Sequence, residues 1–289
     1  MDQVPCHVSQ RVTLHAPCSE SGAMKIAGTS LKPLEIWRAD VHADDAIDFG
    51  RSLAATLLRA GSGGLVTQLG PRPKGRLVLY ERETCPYSRL VREALSHLDL
   101  DVLIKPCPPG EWRHHGELRA LSGDDKVPLL VDEGAGVVLS ESQHIVRYLF
   151  ERYGKGRVPW PLRAHKLAEA SSKLASRVRA RDDKARVAAP YPARPLELWS
   201  YEASPYSRLV RERLGELALP YVCHNLARRS PRRPIFVAKY GRAQFPLLID
   251  PNTNVRLFES ADILRYLNDE YAPKPQLVAT IRRFVVVSG

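Results

Sequence analysis

The chain has 289 residues, 44% of them hydrophobic, enough to bury one large core or two small ones, and a formal net charge of +11. That charge suits nucleic acid, an anionic membrane surface or an anionic small ligand, but no run approaches about 18 apolar residues, so no transmembrane segment is expected. Five cysteines, an odd number without a CxxC pair, argue against a secreted disulfide framework and for a reducing compartment.

Residues 1–30 hold only Asp2 and Glu20 as acids, beside Arg11 and Lys25, a composition shared by organelle transit remnants and plain disordered tails. Residues 31–74 read as a helical lead-in, with SLAATLLRA (Ser52–Ala60) its amphipathic helix. A first domain is set at 75–154. RLVLYE (Arg76–Glu81) is a buried strand, and PYSRLVREALSHL places Leu90, Val91, Ala94, Leu95 and Leu98 on one helical face behind Pro86 at the first turn. A short strand (Val102–Lys105), a polar helix, VPLLVD, a further short strand (Val137–Leu139) and the helix of ESQHIVRYLFERY complete it. Residues 155–194 form a basic linker with a second amphipathic helix, SKLASRVRA (Ser172–Ala180), 120 positions after the first. Each of these two helices is expected to pack on its own domain.

The same order of elements returns at 195–272, from PLELWSYE to ESADILRYLNDEY, and a tail occupies 273–289. ETCPYSRLVREAL (Glu83–Leu95) becomes EASPYSRLVRERL (Glu202–Leu214), an offset of 119 that shortens to 118 by Glu141 and Glu259. The unit is β-α-β-α-β-β-α, written twice, with a cysteine at position 85 and a serine at the matching position 204. Basic residues gather in 163–186 and in RRSPRR (Arg228–Arg233). A solvated face is the first reading and an anion-attracting rim the second; with no recognition motif beside the charge, a nucleic-acid partner is not expected. His114 and His115 have no Cys or acid at ligand spacing, so no metal site is assigned.

Three motifs recur in order in both copies: CPYS or SPYS at the head of the first helix, Val127-Pro128 or Phe245-Pro246 opening the third strand, and Glu141-Ser142 or Glu259-Ser260 opening the last helix. Over about Gly75 to Ala272 the chain resembles the glutaredoxin-like, thioredoxin-fold amino-terminal domain of glutathione transferases. In its tandem form it resembles paired proteins of this kind from photosynthetic organisms. The resemblance implies an α/β fold of two tandem thioredoxin-like domains, each with its own four-stranded sheet, without the all-helical carboxy-terminal domain of the transferases. It implies cis peptides before Pro128 and Pro246, glutathione as ligand or co-substrate with no metal, and a chloroplast location, with the cytoplasm as alternative.

A residue at the first turn of a helix sits beside unpaired N–H groups and the positive end of the helix dipole, which favour an anion. At Cys85 that anion is the thiolate, with Pro86, Tyr87, Arg89 and Arg92 as neighbours expected to shape its field. The resemblance assigns glutathione to Val127, Pro128, Glu141 and Ser142, and in the second copy to Phe245, Pro246, Glu259 and Ser260. Ser88 and Ser207 stand where dithiol relatives carry a second cysteine, so the expected chemistry is monothiol exchange or deglutathionylation of glutathionylated proteins through Cys85. Ser204 cannot attack a disulfide; at most it would donate a hydrogen bond to a bound thiolate. Cys107 is a candidate resolving thiol. The alternative is a non-enzymatic glutathione- or protein-binding module of two packed domains.

Overall fold

The computed structural model describes residues 43–59, 61–163, 165–178 and 190–273, all within one compact unit, His42–Gly289. Helix α1 (Ala43–Leu58) precedes β1 (Leu77–Glu81), α2 (Pro86–His97), β2 (Val102–Pro106), α3 (Arg113–Ser122), β3 (Leu129–Asp132), β4 (Val137–Ser140) and α4 (Ser142–Tyr153). After the short α5 (Trp160–Arg163) and α6 (His165–Val178), the order repeats. The second copy runs β5 (Leu196–Ser200), α7 (Pro205–Glu216), β6 (Tyr221–Asn225), α8 (Arg233–Tyr240), β7 (Leu247–Asp250), β8 (Val255–Leu257) and α9 (Ser260–Tyr271). Two tandem thioredoxin-like units are thus present. Matching glycines end α3 and α8: Gly123 at φ 81° and Gly241 at φ 82° take the left-handed conformation that closes a helix and costs other residues a steric clash.

The expectation of two separate sheets is overturned. A single eight-stranded sheet runs β4-β3-β1-β2-β6-β5-β7-β8, joined where β2 meets β6 antiparallel. At the joint Leu103 lies opposite Val222, its own counterpart 119 residues on, with Val102 opposite Cys223 and Ile104 opposite Tyr221. The contact is therefore isologous, a two-fold interface built within one chain. Its cause is the edge: β2 is almost wholly buried and apolar, and alone it would present unpaired backbone groups that a twin strand satisfies. One hydrophobic core, from Leu79 and Leu95 to Leu198, Leu214 and Leu267, spans both copies.

Each copy also ties its last helix to its third strand in the same way. Asp132 accepts hydrogen bonds from Tyr148 (2.8 Å) and Tyr153, and Asp250 accepts from Tyr266 (2.7 Å) and Tyr271 (2.5 Å). Both aspartates are fully buried, so these phenols satisfy a carboxylate that would otherwise be costly in the core.

The lead-in helices correct a second expectation, because each packs across the two-fold. Helix α1 lies on α7 and α6 lies on α2, while α1 and α6 touch each other. Ser52 donates to the Pro205 carbonyl (3.0 Å) and its counterpart Ser172 donates to the Pro86 carbonyl (2.7 Å). Arg208 fixes α1 further, donating to the Ser52 carbonyl (2.6 Å) and to Thr56 Oγ1 (3.1 Å).

Between the copies lies a buried charge network, and it answers why PYSRLVRE is repeated. Arg92 pairs with Glu202 (3.0 Å), Arg211 pairs with Glu83 (3.1 Å), and each arginine also reaches the glutamate of its own copy, Arg92 to Glu83 (3.2 Å) and Arg211 to Glu202 (2.9 Å). Glu81 adds a further contact to Arg92, and Arg59 closes on Glu93 (2.5 Å). These side chains are 5% exposed or less. Burial pushes the Glu202 carboxyl up, but Arg211, Arg92 and Arg208 outweigh it and hold it down at about 2. Burial drives Glu81 up, Arg92 pulls it back, and Glu83 and Glu202 add to the rise, leaving it at about 7. Gly63, at φ 78°, lets the lead-in pass here: a Cβ would sit 2.9 Å from the Glu202 side chain.

Candidate functional site

Sheet topology brings the three motifs of copy one to one end. Strand β1 delivers the chain to Cys85; β3 runs antiparallel to β1 with Leu129 opposite Tyr80, which puts Pro128 at the same end; β4 returns with Ser140 opposite Leu129, so Glu141 and Ser142 arrive there too. Cys85 is the N-cap of α2, in extended conformation, and its side chain makes no capping bond. Its Sγ faces the Val127 carbonyl at 3.9 Å, beside the cis Val127–Pro128 peptide. A thiol not consumed by its own helix is left at the mouth, next to a backbone edge that an extended peptide can pair with.

Ser142 opens α4 and is buried, while Glu141 before it is exposed and holds φ 68°. Tyr87 is 36% exposed, with the Lys173 ammonium of α6 over its ring at 5.3 Å. Pro86 carries the carbonyl bound by Ser172. The field expected from Arg89 and Arg92 is redirected: Arg92 is held by three glutamates, and Arg89 is fully buried, lowered by burial against the pull of Glu202.

Copy two has the same backbone plan, with a cis Phe245–Pro246 peptide, but a different surface. Ser204 is 2% exposed and its hydroxyl accepts from the Ser207 N–H (3.2 Å), so it caps its own helix. Phe245 meets the Tyr201 ring edge-on at 6.0 Å, and the Arg233 guanidinium lies 4.9 Å from the Phe245 ring. Glu259 accepts from Gln244, and Ser260 is half-buried. Tyr201 and Phe245 stand at the positions that Arg82 and Val127 hold in copy one, so two aromatic rings flank the motif here. Ser204→Ala is expected to cost about 1 kcal/mol through the lost cap, read as a lower urea midpoint, and to leave the alkylation rate of Cys85 unchanged.

Cys107 is not placed for a resolving role: it is fully buried, its thiol donates to the Lys105 carbonyl (3.6 Å), and burial with Glu111 and Glu81 nearby pushes it well up. Burial likewise raises Cys223 to about 11. Cys6 and Cys18 lie outside the described residues. His114 spends both ring nitrogens, on the Pro106 carbonyl (2.6 Å) and the Tyr191 hydroxyl (3.1 Å). Among the described residues no group of three His, Cys, Asp or Glu side chains could hold a metal, and no helix is long and apolar enough to cross a membrane.

The sequence model for "Glutathione S-transferase, N-terminal domain" matches twice, over residues 79–157 and 198–275, more than half of the chain. The chain belongs to that family. The glutathione S-transferase-like protein gedE of Aspergillus terreus (strain NIH 2624 / FGSC A1156) is 31% identical over 77 residues, 27% of this chain and 34% of that protein. The similarity thus spans about a third of the relative's length. No solved structure gave a significant match. Within the family frame the two matches coincide with the two sets of motifs at Cys85 and Ser204. The Asp132 and Asp250 clamps and the reciprocal Glu–Arg network escaped the sequence reading, although both left a signal: polar residues repeated at a constant offset inside otherwise apolar elements.

Proposed function

We propose that the chain is a glutathione-dependent monothiol oxidoreductase acting through Cys85, with the second copy a structural partner. The observation that carries this reading is the pairing of an uncapped Cys85, 3.9 Å from the carbonyl of a cis-proline loop, with a counterpart serine that is buried and capping. The Cys85 thiolate attacks the glutathione sulfur of a mixed disulfide; the Cys85–S–S–glutathione bond forms, the substrate's disulfide breaks, and the substrate leaves as a thiolate that takes a proton. A second glutathione thiolate then attacks the glutathione sulfur, releasing oxidised glutathione and restoring Cys85. Overall one free glutathione is consumed: its sulfur is oxidised as the substrate protein's sulfur is reduced to a thiol, the glutathione taken from the substrate stays at the disulfide level, and no second protein thiol is needed. Glutathione is held by the backbone edge at Val127 and the first turn of α4 at Ser142, whose N–H groups suit its γ-glutamyl carboxylate. Glutathionylated proteins are the proposed substrates.

The test is reduction of a glutathione mixed disulfide by wild type, Cys85→Ser and Ser204→Ala. Activity should fall to background in the first variant and persist in the second. Background activity in wild type would instead favour a binding module, and activity retained by Cys85→Ser would overturn the role of Cys85. Independently, brief alkylation near pH 6.5 followed by peptide mapping should label Cys85 before Cys107 and Cys223, since it is the one cysteine among the described residues that is not buried.

A further inference from the structure

Helix α6 lies outside both stretches that match the family model, yet it packs on α2, whose head carries Cys85. Ser172 holds it there through the Pro86 carbonyl (2.7 Å), and the next residue, Lys173, places its ammonium over the Tyr87 ring at 5.3 Å. Glu169, one turn earlier, accepts from Gln143 of α4 (2.7 Å) and stands 3.9 Å from that ammonium. The Lys173 side chain is 46% exposed and that of Glu169 26%, so the acid is spent on α4 while the cation meets solvent beside the thiol's helix. A second cation, the half-buried Arg82, accepts the Cys85 N–H at its carbonyl (2.9 Å) and sends its guanidinium to the Cys107 carbonyl (3.4 Å).

The copy without the thiol lacks both cations. Leu53 of α1 takes the place of Lys173, Phe49 that of Glu169, and Tyr201 that of Arg82. There the Phe49 ring packs on Tyr206, the counterpart of Tyr87, at 4.8 Å. Both lead-in helices are clamped by the same serine, so the clamp does not require the charge. Glu141 recurs as Glu259 and does not distinguish the copies. The cations thus accompany the thiol, in two elements far apart in sequence.

We infer that Lys173, with Arg82, selects glutathionylated proteins whose modified cysteine is flanked by acidic residues. The inference rests on the thiol reading above and names the substrate class of that site. Glutathione is common to every such substrate, so discrimination falls to the protein segment that leaves. An ammonium on a long, half-exposed stem attracts a carboxylate on encounter as a point charge, without demanding one geometry, which suits flanking residues that differ from protein to protein. A basic flank would meet like charges at the same place and be rejected. The net charge of +11 favours acidic partners over the whole surface, whereas the Lys173 and Arg82 pair does so at the thiol.

The test uses the full chain and three peptides of one sequence, each glutathionylated on a single cysteine flanked by Asp, Asn or Lys, with glutathione in excess. Wild type is expected to favour the Asp peptide over the Lys peptide by about tenfold in kcat/KM, chiefly through KM, and less so as salt is added. Lys173→Glu should bring that ratio to about one or below, and Lys173→Leu, the residue at the matching position of α1, should bring it between the two. Lys173 is exposed, so both variants are expected to keep the melting temperature of wild type. The inference is overturned by equal use of the three peptides, or by a preference that survives both variants. It is overturned as well by one loss shared equally by all three peptides, which would put Lys173 on the glutathione moiety. Equal reduction of all three leaves the thiol reading standing, whereas reduction of none by wild type removes that reading and this inference with it.

Discussion

Replacing Glu202 with glutamine is expected to destabilise the protein by about 3–5 kcal/mol, because it removes one partner of a buried ion-pair network and leaves the other charges in place. Glu202 accepts from Arg92 (3.0 Å) and Arg211 (2.9 Å), is 3% exposed, and is held as a carboxylate by those arginines together with Arg208. Glutamine keeps the volume but not the charge, so two guanidinium groups, 5% and 2% exposed, lose an anion that water cannot replace. Glu83→Gln acts on the same two arginines and should fall in the same range, while the double variant should lose less than the sum, because both changes strip one shared network. Urea unfolding followed by circular dichroism measures this. A loss under about 1 kcal/mol for Glu202→Gln would show that the network contributes little. Because the sheet and core run through both copies, unfolding should be one transition, with equal midpoints for tryptophan fluorescence and total helix content. Two separated transitions would contradict a shared core.

The stability of Glu81→Gln relative to wild type is expected to rise by about 2 kcal/mol between pH 5 and pH 7.5. Glu81 moves from an ordinary 4.5 to about 7 in the fold, chiefly because it is buried. A raised carboxyl holds a proton in the native state that the unfolded chain has released. Its stabilising contribution is therefore present below pH 4.5 and lost as pH rises through about 7. Glu202 has the opposite sign: its contribution is present above pH 4.5 and lost as pH falls toward about 2, outside this window. His97 and His114, both lowered by burial, work against Glu81, since the unfolded chain takes up their protons below about 6.5 while the native state does not. The difference between variant and wild type cancels the histidines and Glu202 and isolates Glu81. Groups facing Glu81 are Arg92, Glu83, Glu202 and Arg211, so glutamine leaves Arg92 with two carboxylates. Parallel stability profiles from pH 5 to 7.5 would show that Glu81 titrates normally.

The chain's own order of residues determined the repeated unit, the strands and helices of each copy, and the three motifs that meet at one sheet end. Those are local or periodic properties: a proline at a helix head, an apolar stripe at helical spacing, a constant offset of 119 or 118. Cys85 against Ser204 was legible for the same reason, as one changed position in a retained segment. Periodicity says which face of an element is buried but not against what, and there the reading stopped. Leu103 and Val222 look like ordinary core positions until β2 and β6 meet edge to edge. Ser52 and Ser172 mark matching helices, but only the folded chain puts each on the other copy's first helix. Arg92 stands seven residues after Cys85 and reads as a neighbour of the thiol. In the fold it is turned into the junction, because three buried carboxylates outbid an exposed mouth for its charge. The same burial withdraws Cys107 and Ser204 from the chemistry their positions suggested, and leaves Cys85 as the thiol among the described residues that a substrate can reach.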